Sequence, residues 1–205
     1  MKNNYIVQAW LVLILAIFYG GALAGIQLTL APKIAENRIQ ETRERVPGLV
    51  LGADQAGEVT LSINSSNIVV EKNGRKVFYQ VFKATKNGEI AGWVAKHKGQ
   101  GYADKIELLI GLNPGLSKIT GLYVLNQKET PGLGNKIIEA DWRKQFINAP
   151  TSRNLEVVKT GADDPNEIDA ITGATISSRS VCSIVNTALN DLKSPLHKRI
   201  THTEN

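Results

Sequence analysis

The sequence is poor in the residues that form disulfides and bind metals. Its 205 residues include one cysteine, Cys182, and three histidines, His97, His197 and His202. A single cysteine excludes an intramolecular disulfide and the cysteine ligand sets of iron–sulfur clusters. None of the histidines stands at a metal-ligand spacing from a cysteine, an aspartate or a glutamate. We therefore expect no metal site.

Signatures of several other protein classes are also missing. The net charge of +5 is spread along the chain, and no basic cluster is interleaved with aromatic residues, so we do not expect nucleic-acid binding. No serine stands in a nucleophile-elbow context, which argues against a Ser–His–Asp hydrolase. No Gly-x-Gly-x-x-Gly loop follows a predicted strand, which argues against a nicotinamide site. The sequence therefore predicts no catalytic residue.

A long apolar run at the amino end is present instead. The stretch Tyr5 to Leu30 contains no charged residue. About 20 helical residues span the roughly 30 Å hydrocarbon core of a membrane. We predict a transmembrane anchor over residues 1–31. A cleaved signal peptide with its small-residue site at Ala22-Leu23-Ala24 is the alternative, but the apolar run continues to Ala31 and is longer than a signal core.

The rest of the chain predicts an α+β domain at residues 49–194. A juxtamembrane helix or linker at 32–48, ended by Pro47-Gly48, is expected before it. A C-terminal tail at 195–205, frayed from His197 onward, is expected after it. Alternating side chains and turn signals indicate antiparallel hairpins. The predicted pairs are Val59–Ile63 with Ile68–Glu71, Val77–Ala84 with Ile90–Lys96, and Ile106–Leu112 with Ile119–Leu125. Two helices, Ile138–Phe146 and Ile176–Lys193, are expected to cover the sheet.

Two glycine-containing segments are candidate ligand loops. Residues Glu129 to Gly134 read Glu-Thr-Pro-Gly-Leu-Gly between a predicted strand and a predicted helix. The proline stiffens this loop, and its glycines permit a close approach to the backbone. The second segment, Gly99-Gln100-Gly101-Tyr102, places an aromatic residue just before a predicted strand. Each segment alone is compatible with an ordinary turn, and either could border a planar ligand.

The most informative segment is Asp169 to Thr175, which reads Asp-Ala-Ile-Thr-Gly-Ala-Thr. It leads into a helix whose apolar stripe is Val181, Ile184, Val185, Ala188, Leu189 and Leu192. The start of a helix favours a phosphate because its N–H groups are unpaired and its dipole is positive there. Thr175, Ser177 and Ser178 are residue types that cap such N–H groups. The Thr-Gly-Ala-Thr part alone would also fit an ordinary capping turn.

This segment resembles the flavinylation signature Asp-x-x-Ser/Thr-Gly-Ala-Thr, whose last threonine becomes esterified to the phosphate of FMN. Together with Gly101-Tyr102, Glu-Thr-Pro-Gly-Leu-Gly and Asp141-Trp142, in this order, it makes nearly the whole chain similar to the G subunit of the Rnf electron-transport complex. The C subunit of the sodium-pumping NADH:quinone reductase is a relative with similar motifs. That family is longer, so the compact length here favours the Rnf type.

The resemblance implies an electron carrier with FMN bound covalently to Thr175 through a phosphoester. Its complex would pass electrons between ferredoxin and NAD while it moves sodium ions or protons, and the chain alone would complete no turnover. The implied phosphate contacts are Thr172, Gly173, Ala174, Ser177 and Ser178, and the implied ring contacts are Glu129, Thr130, Leu133 and Gly134. A separate flavin transferase using FAD would recognise Asp169, Thr172, Gly173 and Ala174. The expected partners are the other subunits, this transferase during maturation, and the membrane.

Charge bias and resemblance disagree about orientation. Lys2 is the only charge before the apolar run, whereas several basic residues from Lys33 to Arg45 follow it, which by the positive-inside rule places the domain in the cytoplasm. The rule weakens for long translocated domains. The resemblance implies a single-pass protein of the bacterial inner (cytoplasmic) membrane with its domain on the outer, periplasmic side. A free-standing flavoprotein reductase and a non-redox sensory or scaffold protein remain alternative functions.

Overall fold

The computed structural model describes residues 5–52, 59–72 and 74–201. The chain divides into two compact units, Met1–Glu41 and Thr42–Asn205. The first unit contains most of a long helix, and the second contains a sheet with helices on it. The predicted α+β class with antiparallel hairpins is confirmed.

Helix α1 is continuous over 47 residues, Tyr5–Leu51. Its amino-terminal part is long and apolar enough to cross a membrane, with a mean hydropathy of 2.2, a property that a signal sequence shares. Lys2, on which the charge comparison depends, lies outside the described residues. The predicted stop at Pro47-Gly48 is wrong. The helix passes through Pro47 because Val46, Leu49 and Val50 around it are buried against the sheet, which outweighs the helix-breaking tendency of proline.

Five antiparallel strands form the main sheet in the order β1 to β5. They are β1 Ser62–Lys72, β2 Arg75–Lys86, β3 Glu89–Gln100, β4 Lys105–Leu112 and β5 Ile119–Asn126. The second and third predicted hairpins are confirmed, and Asn87 and Gly88, both with positive φ, turn the chain between β2 and β3. The first predicted hairpin is wrong. Residues Asn64 to Asn67 continue β1 because β2 pairs with them along their whole length.

Apolar side chains project from both faces of this sheet, since successive residues of a strand point to opposite sides. On one face Val81, Ala95 and Leu108 belong to a core that includes the apolar stripe of the last helix. On the other face Phe82, Val94 and Leu109 pack with the carboxyl-terminal end of α1. The sheet is therefore the middle layer of the second unit.

The two predicted covering helices differ in outcome. Helix α3 runs from Thr175 to Thr201, so the predicted frayed tail is wrong as far as Thr201, because Leu196 is buried and Arg199 reaches β1. Residues 202–205 lie outside the described part. The helix predicted at Ile138–Phe146 is wrong. In its place are a 3-10 turn at Gly134–Ile138, a short helix α2 at Ala140–Arg143 and another 3-10 turn at Lys144–Phe146.

Contacts with other segments explain these short turns. Glu139 is extended and breaks the helical path. The indole N–H of Trp142 donates to the Asp169 carbonyl at 2.9 Å, and Arg143 Nη1 donates to the Leu122 carbonyl at 2.7 Å. Two three-residue strands not predicted from the sequence, β6 at Glu156–Val158 and β7 at Glu167–Asp169, pair in parallel. Strand β7 leads the chain into the Asp169–Thr175 segment.

A polar cluster joins α3 to the sheet. The hydroxyl of Tyr79, which is fully buried, donates to Asp191 Oδ2 at 2.6 Å, and Lys72 Nζ lies 2.9 Å from Asp191 Oδ1. The His97 ring stacks on Tyr79 with centroids 4.7 Å apart. Burial raises the pKa of Asp191, but the hydrogen bonds from Tyr79 and Lys72 outweigh burial and hold it below its ordinary value. The ionised carboxylate therefore stabilises the folded state.

We expect Asp191→Asn to lower the free energy of unfolding at pH 7 by about 1–3 kcal/mol, because hydrogen bonds to a charged group are lost. A carboxyl whose pKa is lowered by folding contributes stability above its unfolded pKa of about 3.9, and that stability is lost as the pH falls. The variant should therefore lose less stability than the native chain between about pH 5 and pH 3. Urea unfolding of the full chain in detergent, followed by tryptophan fluorescence, measures both quantities.

Three other aspartates, Asp104, Asp141 and Asp164, also have pKa values held low by hydrogen bonds from neighbouring groups. Some acid dependence will therefore remain in the variant. Equal acid dependence in both proteins would contradict the role assigned to Asp191.

Candidate functional site

A cavity of about 520 Å³ lies at the start of α3. Three segments that the sequence singled out meet there, namely the Gly101-Tyr102 loop, the loop after β5 and the Asp169–Thr175 segment with the first turn of α3. The lining residues are Tyr102, Thr130, Leu133, Gly134, Gly173, Ala174, Thr175, Ile176 and Ser177. The motifs therefore form one site, although about 75 residues of chain separate the first from the last.

The polypeptide enters α3 through a tight turn. The Ala174 N–H donates to the Ile171 carbonyl at 2.8 Å, and Gly173 has a φ of +78°, a value that side chains strongly disfavour. Within the described ranges, the N–H groups of Thr175 and Ile176 have no protein acceptor, and neither does that of Ser177. These are the N–H groups that a helix leaves unpaired at its start. The three residues that carry them line the cavity, which makes that wall suitable for an anion.

The Thr175 side chain is half-buried and borders the cavity. Its hydroxyl forms no hydrogen bond with any residue that the structure describes. The hydroxyl is not fully buried, and it is not used to hold the fold together through a hydrogen bond. It is therefore available for chemistry with a molecule in the cavity.

The two serines do not cap the helix as their positions predicted. Ser178 is fully buried, and its hydroxyl accepts from the Ile171 N–H and donates to the Ala174 carbonyl, both at 3.1 Å. The Ser177 hydroxyl donates to the Glu129 carboxylate. Ser177 still lines the cavity, whereas Ser178 lies behind its wall and fixes the turn.

Glu129 lies behind the cavity wall, with only 4% of the residue exposed. One carboxylate oxygen accepts from Ser177, and the other accepts from the Ala103 N–H at 3.0 Å. A Cβ at Gly134 would lie 2.6 Å from Ser177 Oγ and 2.9 Å from Glu129 Cβ, so only glycine leaves room for this pair. Glu129 therefore joins all three segments of the site without lining it.

Two further residues of the Asp169–Thr175 segment lie away from the cavity. Thr172 is exposed in the turn, and half-buried Asp169 accepts from the Ala162 N–H at 3.1 Å. The Asp169 N–H donates to Gln145 Oε1 at 2.8 Å. Gln145 and Trp142 therefore hold the start of the segment from the region of α2.

The sequence pointed to Tyr102 as a possible neighbour of a planar ligand, but Ile176 in the cavity lining was missed. Ile176 and Tyr102 are 55% and 61% exposed and form an apolar rim with Leu133. The hydrophobic position directly after Thr175 was the only available signal for Ile176.

Burial raises the pKa of the Cys182 thiol to about 12, so this cysteine is unreactive at neutral pH.

Sequence comparison gives the cavity a family context. Residues 101–190 match the FMN-binding domain family. The chain is 28% identical over 169 residues to the G subunit of an ion-translocating oxidoreductase complex of Methanosarcina acetivorans, covering 82% of this chain and 86% of that protein. It is 29% identical to the G subunit of the proton-translocating ferredoxin:NAD(+) oxidoreductase complex of Clostridium ljungdahlii, with coverages of 84% and 83%. Identity reaches 38% with the corresponding protein of the Na(+)-translocating complex of Acetobacterium woodii, where the match spans about half of each chain, 54% and 53%.

Solved structures show a similar fold. The C subunit of the Na(+)-translocating NADH-quinone reductase from Parabacteroides distasonis aligns with a TM-score of 0.55 and 22% identity over 74% of this chain and 87% of that one. NqrC from Shewanella oneidensis aligns with a TM-score of 0.50 and 23% identity, with coverages of 63% and 69%. The order of the motifs, the matched domain and the long relatives agree: residues 101–190 match the FMN-binding domain family, and most of the chain is similar to the G subunits of ion-translocating oxidoreductase complexes.

Proposed function

We propose that this chain is an electron-carrier subunit with FMN attached to Thr175 Oγ1 through a phosphoester bond. The observation that carries the proposal is the unbonded Thr175 hydroxyl, placed beside unpaired N–H groups at the start of α3 and open to the 520 Å³ cavity. By similarity to relatives named for ferredoxin and NAD(+), the whole complex couples electron transfer between these carriers to ion translocation.

The cavity fits the two parts of FMN. Its volume falls within the roughly 300–1,000 Å³ of small-molecule sites. The unpaired N–H groups of α3 suit the phosphate, with Thr172, Gly173, Ala174 and Ser177 as proposed neighbours and Ser178 supporting the turn. The apolar rim suits a flat ring, with Thr130, Leu133 and Gly134 as proposed contacts and Glu129 as their support. Bound FMN supplies the electron transfer, whereas the chain contributes position, hydrogen bonds and local polarity.

Attachment requires a second enzyme, a flavin transferase that uses FAD. In the proposed reaction Thr175 Oγ1 attacks the phosphorus on the FMN side of FAD. The new P–O bond forms as the pyrophosphate P–O bond breaks, AMP leaves, and the hydroxyl proton passes to a base of the transferase. Thr172 and Gly173 are exposed, and the transferase would recognise them together with Ala174 and Asp169. Asp169 would act partly by shaping the loop, since its carboxylate is bonded internally.

The apolar part of α1 would anchor the protein in the bacterial inner (cytoplasmic) membrane beside the other subunits, with the flavin domain on the outer, periplasmic side. A covalent bond has a physical advantage in that location. A carrier outside the cytoplasm has no pool of FMN from which to replace a lost cofactor, and a phosphoester removes dissociation.

A denaturing gel tests the proposal directly. The full chain is expressed with and without a flavin transferase, purified in detergent and denatured. We expect a yellow fluorescent band only with the transferase, since only a covalent flavin survives denaturation. A colourless band in both samples would contradict covalent attachment and favour a sensory or scaffold role. Rapid oxidation of NADH by the isolated chain would instead indicate a free-standing reductase.

The turn before Thr175 provides a further prediction. Gly173→Ala and Gly132→Ala both place a side chain at positive φ, +78° and +76°, which costs about 1–2 kcal/mol at each site. A Cβ at Gly173 would also lie 3.0 Å from Leu133 Cδ2 in the cavity, whereas a Cβ at Gly132 would meet nothing within 4 Å. We expect flavin content, measured as the ratio of flavin to protein absorbance, to fall several-fold only in Gly173→Ala. Equal flavin content in the two variants would contradict this account of the turn.

A further inference from the structure

A second cavity, of about 320 Å³, lies on the other side of the segment that follows β5. The end of α1, strand β5 and the α2 region form its walls, and its lining includes Arg45, Leu49, Tyr123, Arg143, Lys144 and Ile147. It shares no lining residue with the flavin cavity. Nothing in the proposed electron-carrier function uses it.

Two guanidinium groups that line this cavity each lie close to the same aromatic ring. The Cζ atoms of Arg45 and Arg143 lie 4.5 Å and 5.3 Å from the centroid of the Tyr123 ring. Among the residues described, neither guanidinium forms an ion pair with a carboxylate. The third basic group of the lining, Lys144, is already paired with Asp141 at 2.8 Å. The cavity therefore has two positive charges that no acid in the described structure neutralises.

Arg143 is held in place before any ligand arrives. Its Nε donates to the Ile138 carbonyl at 3.1 Å and its Nη1 to the Leu122 carbonyl at 2.7 Å. Burial, together with the nearby charge of Arg45, lowers the pKa of Arg143. Placing like charges side by side is unfavourable unless an anion binds between them. Nη2 of Arg143 and the donors of Arg45 remain available for such an anion.

The chemistry of the lining identifies the kind of anion. A planar guanidinium matches a carboxylate through paired hydrogen bonds. Leu49 and Ile147 add an apolar part to the wall, which suits the methylene stem of an acidic side chain. The family works in complexes of several subunits, which places other protein surfaces next to this chain.

We propose that this cavity is a docking site for an aspartate or glutamate side chain of a neighbouring subunit. The carboxylate lies within reach of both Arg45 and Arg143 and reduces the net charge of the pair from two to one. The site would thereby fix the neighbour against the segment Leu133–Arg143, whose other end lines the flavin cavity.

The test uses the full chain in its native host with p-benzoylphenylalanine in place of Ile147, which lines the cavity and is 44% exposed. Irradiation should link this residue to a peptide of a neighbouring subunit that contains Asp or Glu. Arg45→Glu should reduce the yield of that product about tenfold or more, because like charges then face each other. Arg75→Glu, a charge reversal at an exposed arginine outside the cavity, should leave the yield unchanged.

Changing the partner's acidic residue to arginine should restore the product in the Arg45→Glu chain. Arg45→Gln removes the charge without reversing it and should give an intermediate yield of the crosslinked product. Its melting temperature should equal that of the native chain, which shows that the fold is intact. Products with phospholipid alone, no product with another subunit, or a yield unaffected by Arg45→Glu would each overturn the proposal. The Thr175→Ala chain should give the full yield, so failure of the flavin proposal and failure of this one are distinguishable.

Discussion

Thr175→Ala is expected to abolish covalent flavin completely. The substitution removes the one hydroxyl to which we assign the phosphoester, and no other side chain can replace Oγ1 at that position. The fold should be retained, because the Thr175 hydroxyl has no hydrogen bond within the described structure and alanine is a good helix former. We expect the free energy of unfolding to change by less than about 0.5 kcal/mol. The result therefore separates attachment from folding.

Two matched variants make this experiment specific. Thr175→Ser keeps a hydroxyl and should retain flavin in at least part of the protein. Thr187→Ala removes another half-buried threonine from the same helix and should retain it in full. Intact mass spectrometry of the chains produced with flavin transferase gives the occupancy, and peptide sequencing locates the adduct. Retention of the FMN mass in Thr175→Ala would refute the assignment.

Glu129→Ala is expected to have the second largest effect, and for a different reason. The buried carboxylate accepts hydrogen bonds from Ser177 and from the Ala103 N–H. Its removal leaves the buried Ser177 hydroxyl and the part-buried Ala103 N–H without this acceptor, which should cost about 2–3 kcal/mol of stability. The three segments of the cavity also lose their common contact, so flavin content should fall strongly.

The stability of Glu129→Ala is best measured in the Thr175→Ala background, where bound flavin cannot contribute. Glu129→Gln keeps the size and one acceptor oxygen and should cost less than half as much. Ser177→Ala and the double variant complete a mutant cycle, in which a coupling energy of about 1 kcal/mol or more is expected for groups in direct contact. Independent effects of the two substitutions would show that Glu129 does not join the segments in the way described.

Sequence patterns predicted correctly those strands, turns and helices that depend mainly on interactions between residues close together in the chain. Strands β2 and β3 alternate apolar and polar residues, and β4 and β5 are short apolar runs on either side of a turn signal. The apolar stripe of α3 repeats with a helical period. The errors occurred where distant contacts decide the structure. Residues Asn64 to Asn67 look like a turn until β2 pairs with them. Pro47 looks like a helix end until the buried residues around it hold the helix together.

The site shows the same division between local and distant information. The Asp169–Thr175 segment could be located from sequence because its turn and helix start are local features. The directions of side chains could not, so Glu129 was expected beside the ring and lies behind the wall, and Ser178 was expected to cap but fixes the turn. The arginine pair at Tyr123 left no sequence signal, because Arg45 and Arg143 are 98 residues apart.

The shared carboxylate at the rear of the flavin cavity has a practical consequence for protein engineering. Copying only the heptapeptide into an unrelated host would transfer the proposed attachment sequence without the surrounding architecture that we propose holds the flavin. A successful graft would also need an acid at the position of Glu129, a serine hydroxyl at that of Ser177, and the bare α-carbon of Gly134 that accommodates both. The loop that contains Glu129 and Gly134 should therefore be transferred together with the start of α3.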